Sequence, residues 1–379
     1  MNPSQYPDLA GEVKTSTGDH PIWVGWGILE EVGTRVKSLM SPSAAYVIAD
    51  EKAHSYASKT QISMEAVGIP THIYKIPSGE TNKNLETVRQ VYTWLAERKA
   101  ERGHLILAVG GGVVGDLVGF VAATYLRGIP FVQIPTTLLA MMDASIGGKV
   151  AVDMPQGKNL VGAFYQPKFV LSDVETLKTL PVRELTSGWA EAIKHGLILD
   201  DGLLDTFESH VSELKSLDPE IATETIRRSV AIKAGVVSQD EKETLGIRIL
   251  LNYGHTIGHA IESITGYTEY LHGEAVSVGM MGAAKIGELL QIMDVDDVER
   301  QKEVLQAYGL PISAPGLNSE AIISAMTSDK KTTGGSINWV LLDGIGKAIT
   351  NNEVPDKYVS KALKFVLTSS EHNSLGGVC

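Results

Sequence analysis

Residues 105–164 read LILAVGGGVVGDLVGFVAATYLRGIPFVQIPTTLLAMMDASIGGKVAVDMPQGKNLVGAF. Leu105 to Val109 is an unbroken apolar run, the pattern of a strand buried on both faces of a parallel sheet. It breaks at Gly110, Gly111 and Gly112 and passes through Val113-Val114-Gly115-Asp116. The amphipathic stretch Leu117 to Tyr125 then predicts a helix. Strand, glycine turn and helix together aim free backbone N–H groups at a phosphate. A second strand, Phe131 to Ile134, runs into Pro135-Thr136-Thr137. Asp143, Lys149, Lys158 and Asn159 follow among glycines, a density of polar groups in apolar surroundings that calls for a chemical role.

The same alternation extends on either side. Ile22 to Val24, Ala45 to Ala49 and Thr71 to Lys75 read as strands, and Phe169 to Leu171 as a last one. Ile28 to Met40, Glu51 to Val67 and Leu85 to Arg102 read as helices, the last with apolar residues at Val88, Val91, Tyr92 and Leu95. Such spacing implies βαβ units, a parallel sheet, and ligands at the carboxyl ends of its strands. After Pro181 the period is helical, except Ile337 to Leu342, which predicts a strand of a late hairpin. The expected fold is an α/β, Rossmann-like nucleotide-binding domain over residues 1–178, followed by an all-α, metal- and substrate-binding domain over 179–379 whose last ~10 residues are expected to be disordered.

Composition narrows the partners. Of 379 residues 43% are hydrophobic and 21% charged, ordinary for a globular protein. A net charge of −12 argues against nucleic acid, which requires a basic face. It leaves room for a small anion in a local cationic pocket. The single cysteine, Cys379, excludes a disulfide framework within one chain and fits a reducing cytoplasm. No signal-peptide core and no apolar run of ~18 residues is present, so no membrane partner is expected.

Three constellations carry chemistry. The first is the glycine turn. Asp50, at the end of an earlier strand, suits a ribose hydroxyl, and Gly79-Glu80 with Lys83 could line the same pocket. The spacing matches neither GxGxxG nor a P-loop. The second joins Glu191 and Lys194, on a predicted helix Glu184 to Ile198, with Asn252, His255, His259 and Glu262. These four recur at i, i+3, i+7 and i+10 and would share one face of a helix Asn252 to Ile264. His272 follows. Each histidine alone is an ordinary buried imidazole, but the set with Glu191 has the composition of a catalytic divalent-metal site. Spacing leaves open whether His255 or His259 is the ligand. The third is a scatter of cations, Arg127, Lys149, Lys158, Lys194, Lys233, Arg248, Lys330 and Lys331, fit to focus a positive field on a polyanionic substrate.

GGGVVGD, TYLRG, PTTLLAMMDASIGGK, GKNLVGAF, AEAIKHG, NYGHTIGHAIE and LHGEAV occur in this order between about residues 20 and 345. As a set they resemble the 3-dehydroquinate synthase family of the sugar-phosphate cyclase superfamily. The resemblance implies a phosphate-eliminating lyase of the shikimate route that uses NAD and one divalent metal, Zn²⁺ or Co²⁺, as a cytoplasmic homodimer. It puts the metal on Glu191, His255 and His272 and moves His259 to the substrate. It puts NAD contacts on Asp50, Glu80, Lys83, Gly111, Gly112, Val113, Asp116, Thr136, Thr137, Asp143, Lys158 and Thr179. Substrate and catalytic roles fall on Arg127, Asp143, Lys149, Asn159, Lys194, Lys233, Arg248, Asn252, His259 and the Lys330-Lys331 pair. Lys52 stands where the family commonly carries Asn, Ala144 where it carries Ser, and one extra residue lies in the loop Ser238 to Gly246.

The substrate so implied is 3-deoxy-D-arabino-heptulosonate 7-phosphate. Transient oxidation at C5 by NAD, phosphate elimination, re-reduction, ring opening and an aldol closure give 3-dehydroquinate. In that reading Arg127, Lys149, His259 and the lysine pair hold the phosphate with Asn159, Lys233 and Arg248 hold the carboxylate, Lys194 balances charge beside the metal, and Asp143 orients the C4 hydroxyl. The nearest alternatives are another sugar-phosphate cyclase, whose substrate lacks the carboxylate, and a metal-dependent polyol or glycerol-phosphate dehydrogenase.

Overall fold

In this computed structural model, which describes residues 6–330 and 337–368, the chain opens on an antiparallel pair, β1 (Leu9–Thr15) and β2 (Gly18–Gly25). Then follow α1 (Val32–Leu39), β3 (Ala45–Asp50), α2 (His54–Ala66), β4 (Thr71–Ile76), α3 (Leu85–Glu97), β5 (Leu105–Gly110), α4 (Gly112–Thr124), β6 (Phe131–Pro135), β7 (Lys149–Met154), β8 (Gly157–Phe164) and β9 (Val170–Asp173). Seven strands form one sheet in the order β1-β2-β9-β6-β5-β3-β4, parallel apart from β1.

The apolar run of β5 explains the layering. All six of its residues are buried, and successive side chains face opposite ways. Ile106 and Ala108 join Tyr46, Ile48 and Phe131 under α3 and α4, through Val88, Val91, Leu95, Leu117 and Val121. Leu105, Leu107 and Val109 join Val47, Ala49 and Ile134 under α1 and α2, through Val32, Val36, Ala57 and Met64. The parallel sheet is thus covered on both faces.

Several expected elements change shape. The helix placed at Leu117 starts at Gly112, because a glycine at a helix entry needs no apolar period. Ile28 to Met40 divides into a 3₁₀ turn, Ile28–Glu31, and α1. The segment of Lys149 and Lys158, for which no strand is expected, is a hairpin, β7 against β8. Val150 and Val152 are fully buried on one side of it; a Cβ at Gly119 of α4 would lie 2.3 Å from Val150, so this glycine lets the hairpin sit on the helix.

Beyond Pro181 come α5 (Val182–Leu199), α6 (Asp201–Ser209), α7 (Val211–Lys215), α8 (Pro219–Gln239), α9 (His255–Ile264), α10 (His272–Leu289), α11 (Val295–Ala307), α12 (Ser319–Lys330), the antiparallel pair β10 (Trp339–Leu342) and β11 (Ala348–Asn351), and α13 (Asp356–Leu367). The late hairpin is the expected one. No helix among the described residues is long and apolar enough to cross a membrane.

Two compact units result, residues 1–181 with 217–244, and residues 182–216 with 245 onward. The division differs from a single cut after 178 in one segment: α8 packs with the first unit. Its Ser238 accepts the Lys14 N–H at 2.9 Å, and the Arg227 guanidinium donates to the Val24 carbonyl at 3.0 and 3.1 Å. Helical period reports that a face is apolar and is silent about which neighbour covers it.

Candidate active site

The first unit gathers most of its candidate residues around the end of β5. A Cβ at Gly110 would lie 2.7 Å from Val114 Cγ2 and 3.3 Å from Asp50 Cβ, and one at Gly111 3.1 Å from Thr137 Cγ2. Only residues without side chains let β5, the start of α4 and the Thr136-Thr137 segment converge so closely. Thr136 N–H donates to the Gly110 carbonyl at 2.9 Å. The N-cap Gly111 makes no side-chain cap, so the N–H groups at Gly112 and Val113 are of the kind that can receive an anion at a helix end. Beside them Asp50 accepts from Ser78 Oγ at 2.5 Å and from the Lys52 N–H at 2.8 Å. Thr179 Oγ1 meets Tyr56 Oη at 2.7 Å.

Lys83 is the hub of this region. Its buried Nζ donates at 2.6 Å to both Asp116 Oδ2 and Asn159 Oδ1. Burial works against the ammonium, but Asp116 and Glu80 outweigh it and raise the lysine's pKa. Burial pushes the Asp116 carboxyl up to about 6, against the pull of Lys83. Asn159 has φ +56° on β8, and its N–H donates to Asp153 Oδ1 at 2.8 Å, while Asp153 N–H donates to the Lys83 carbonyl at 2.7 Å. The neighbouring Lys158 pairs with Glu80 at 3.3 Å.

Two further lysines of this unit rest on carboxylates. Asp143 lies in a π-helical turn, Ala140–Ala144, and Lys233 of α8 donates to its carbonyl at 2.7 Å and to its carboxylate. Lys149, at the start of β7, pairs with Glu243 at 2.5 Å. Glu243 belongs to the loop with the extra residue and adopts φ +56°. Arg127 is not brought to this region. It sits at φ +66° in the turn after α4, and that helix of 13 residues puts about 20 Å between it and the glycine turn.

In the second unit, Glu191 and Lys194 lie one turn apart on α5, both fully buried, and Lys194 Nζ donates to Glu191 Oε2. Glu191 Oε1 has no hydrogen-bond partner among the described residues. It faces His255 Nε2 and His272 Nε2, each at 3.7 Å. Donors on a tetrahedral ion with bonds near 2.0–2.1 Å stand about 3.4 Å apart; the two Glu191–imidazole distances are close to that, and the three donors lie within 4.8 Å of one another. Burial would raise the Glu191 carboxyl, but Lys194 and the two imidazoles hold it well below its usual range. Burial and Lys194 keep His255 neutral. For His272 burial is overcome by Glu191 and Glu262, and its pKa rises to about 10.

One expectation needs correction. Asn252 is not on the histidine helix. Arg248–Asn252 is a 3₁₀ turn, and Gly254 at φ +79° breaks the path before α9 starts at His255. A Cβ at Gly254 would lie 2.8 Å from Met280 N, and one at Gly279 only 1.9 Å from the Gly254 carbonyl, so the backbones of α9 and α10 touch there. The shared face therefore holds His255, His259 and Glu262. His259 is exposed, with ring centres 5.1 Å from His255 and 6.0 Å from His272. Arg248 is buried and Asn252 exposed. Lys330 ends α12, and Lys331 lies outside the described residues. Sequence reasoning placed Glu262 on this face without a role, and passed over Glu243; in both cases the signal was a carboxylate near candidate cations or imidazoles.

This architecture is that of sugar-phosphate cyclases. A 2-epi-5-epi-valiolone synthase from Streptomyces hygroscopicus, solved with NAD⁺ and Zn²⁺ bound, superposes with a TM-score of 0.83 over 92% of this chain and 96% of its own, at 28% identity. A 2-deoxy-scyllo-inosose synthase complexed with carbaglucose-6-phosphate, NAD⁺ and Co²⁺ gives 0.84 over 94% and 99%, at 29% identity. Residues 73–187 match the family described as 3-dehydroquinate synthase N-terminal, and 188–332 its C-terminal counterpart. The 3-dehydroquinate synthase of Nitrosomonas europaea is 42% identical over 363 residues, 96% of this chain and 98% of that protein. The chain belongs to the 3-dehydroquinate synthase family.

Proposed function

We propose that this protein is a phosphate-eliminating lyase that converts 3-deoxy-D-arabino-heptulosonate 7-phosphate to 3-dehydroquinate and phosphate, using NAD and one divalent metal. Identity of 42% to a 3-dehydroquinate synthase, against 28–29% to cyclases named for other products, favours this substrate over theirs. The observation that carries the chemistry is Glu191 Oε1, buried, unpaired among the described residues, and 3.7 Å from each of two imidazole nitrogens. When bound, the metal supplies a Lewis acid for a developing oxyanion and NAD a reversible hydride acceptor.

The residues divide the remaining work. Glu191, His255 and His272 would hold the ion, and Lys194 offsets the carboxylate's charge in the dry site. The α4 amino end and Thr136-Thr137 would hold the cofactor's anionic and polar groups, with Asp50 at a ribose and Lys83, Asp116, Lys158 and Glu80 beside them. Asp143 would orient a substrate hydroxyl. Lys149 and Asn159 would bind the phosphate. Arg248 would pair with the carboxylate through its planar guanidinium. Lys149 and Lys233 already rest on carboxylates, so an anionic substrate exchanges one partner for another and leaves no cation bare. Asn252, His259 and the Lys330-Lys331 pair would complete the substrate contacts. We place the enzyme in the cytoplasm as a homodimer.

Phosphate release from the seven-carbon keto acid phosphate tests this reading. Release that needs NAD and stops with a chelator, with no net NADH, supports it. Accumulating NADH identifies a dehydrogenase, and release only from carboxylate-free sugar phosphates identifies another cyclase. Light scattering checks the dimer.

A further inference from the structure

Glu262 is a buried carboxylate that the reaction above does not use. It stands seven residues after His255 on α9, on the same helical face, and is 7% exposed. Its Oε2 lies 3.2 Å from His272 Nδ1. The His272 ring therefore spans two carboxylates, with Nδ1 on Glu262 and Nε2 toward Glu191 Oε1. His255 repeats the arrangement: its Nδ1 lies 3.2 Å from the Tyr253 carbonyl, and its Nε2 faces the same Glu191 oxygen.

In both rings the remote nitrogen has an acceptor, and among the described residues the near nitrogen faces the Glu191 oxygen. An imidazole that gives its Nε2 lone pair to an ion keeps a single N–H. Placed on Nδ1, it satisfies the Tyr253 carbonyl in one ring and Glu262 in the other, and leaves both Nε2 lone pairs aimed at one point. We propose that Glu262 is a positioning residue for the metal centre: it fixes the tautomer and tilt of His272 so that Nε2 alone serves the ion. This rests on the metal reading above. A carboxylate behind a ligating histidine also makes the ring a better donor, and its loss typically weakens metal binding 10–100-fold. The competing use of the same atoms is a second ion held by His259, Glu262 and His272, whose donors also lie within 4.8 Å of one another. That use requires Nδ1 to be stripped of its proton.

The full-length protein, freed of metal, is titrated with Co²⁺ and Zn²⁺ against a competing chelator, with metal content counted per chain. E262Q keeps the size of the side chain and an acceptor oxygen but loses its charge. It should bind one ion per chain 10–100-fold more weakly than the parent, and E262D should recover part of that loss. In the zinc-loaded parent, ¹⁵N shifts of the His272 ring should report a protonated Nδ1 and a metallated Nε2, a result independent of how any variant folds. An E262Q affinity within twofold of the parent, a metallated Nδ1, or two ions in the parent against one in E262Q each overturns the assignment. A parent protein that takes up no ion overturns the metal reading as well, which separates the two failures.

Discussion

The two units solve the problem of holding charged groups in opposite ways. In the first, the candidate cations lie on turns, strand ends and one long helix, and all but Arg127 rest on a partner among the described residues: Lys83 on Asp116 and Asn159, Lys158 on Glu80, Lys149 on Glu243, Lys233 on Asp143. In the second, Glu191 and Lys194 are sealed inside α5, and one carboxylate oxygen is left facing two imidazole nitrogens. Lys149 and Lys158, paired near the surface, can trade partners at little cost, whereas Lys83 and Lys233 are buried. A buried oxygen without a partner is costly until something binds it. The first arrangement suits a substrate and cofactor that come and go; the second suits an ion that stays.

The largest effect tests the buried cluster. His272→Ala should abolish stoichiometric metal and, by removing a Lewis acid worth several kcal/mol, lower turnover roughly a thousandfold. Metal analysis and phosphate release check this; an active variant with bound zinc would erase the contrast between the units. Next, Lys194→Met in metal-free protein should cost about 3–5 kcal/mol, because it strands a buried carboxylate. Denaturant unfolding measures it, and added zinc should recover part of the loss. A cost below about 1 kcal/mol would mean that the cluster tolerates an unpaired charge and is less sealed than its burial indicates.

A smaller effect sits in the first unit. Asp116, with its carboxyl pushed up to about 6 in the folded state, takes up a proton there more readily than in the unfolded chain. Its contribution to stability is therefore present below about pH 4 and is lost as pH rises through about 6, by at most about 3 kcal/mol. Asp116→Asn should lack this slope, so the difference between the two unfolding curves should carry it. If the difference is flat, the Lys83 pair dominates burial. Smallest is Lys149→Met: its exposed pair with Glu243 should contribute less than about 1 kcal/mol to stability, while KM for the phosphorylated substrate rises.

The sequence was most legible where chemistry forces residue identity. Gly110 to Gly112 could be read because a strand meeting a helix end leaves no space for side chains. The β5 run could be read because both of its faces are buried. The metal residues were legible as types, but their helix was drawn too long. Gly254 sits inside an otherwise helical period, and only contact with Gly279, far away in the chain, shows that the backbone turns there. The Lys149–Glu243 and Glu262–His272 pairs were hidden for the same reason: they join residues 94 and 10 positions apart whose meeting depends on a loop and on a helix start. The strands β7 and β8 were not drawn because glycines and lysines interrupt them and leave Val150 and Val152 to carry the strand signal alone.

The return of α8 to the first unit bears on how the gene may be cut. A fragment ending at Pro181 would contain every strand of the large sheet yet lose the helix that accepts the Lys14 N–H and caps the Val24 carbonyl. The apolar side of β1 and β2 would meet water, and Asp143 would lose Lys233. The complementary fragment, from residue 182 onward, would carry α8 without the strands it packs on. Truncation, domain fusion and limited proteolysis should therefore be planned around three crossings of the chain between its units, near residues 181, 216 and 244.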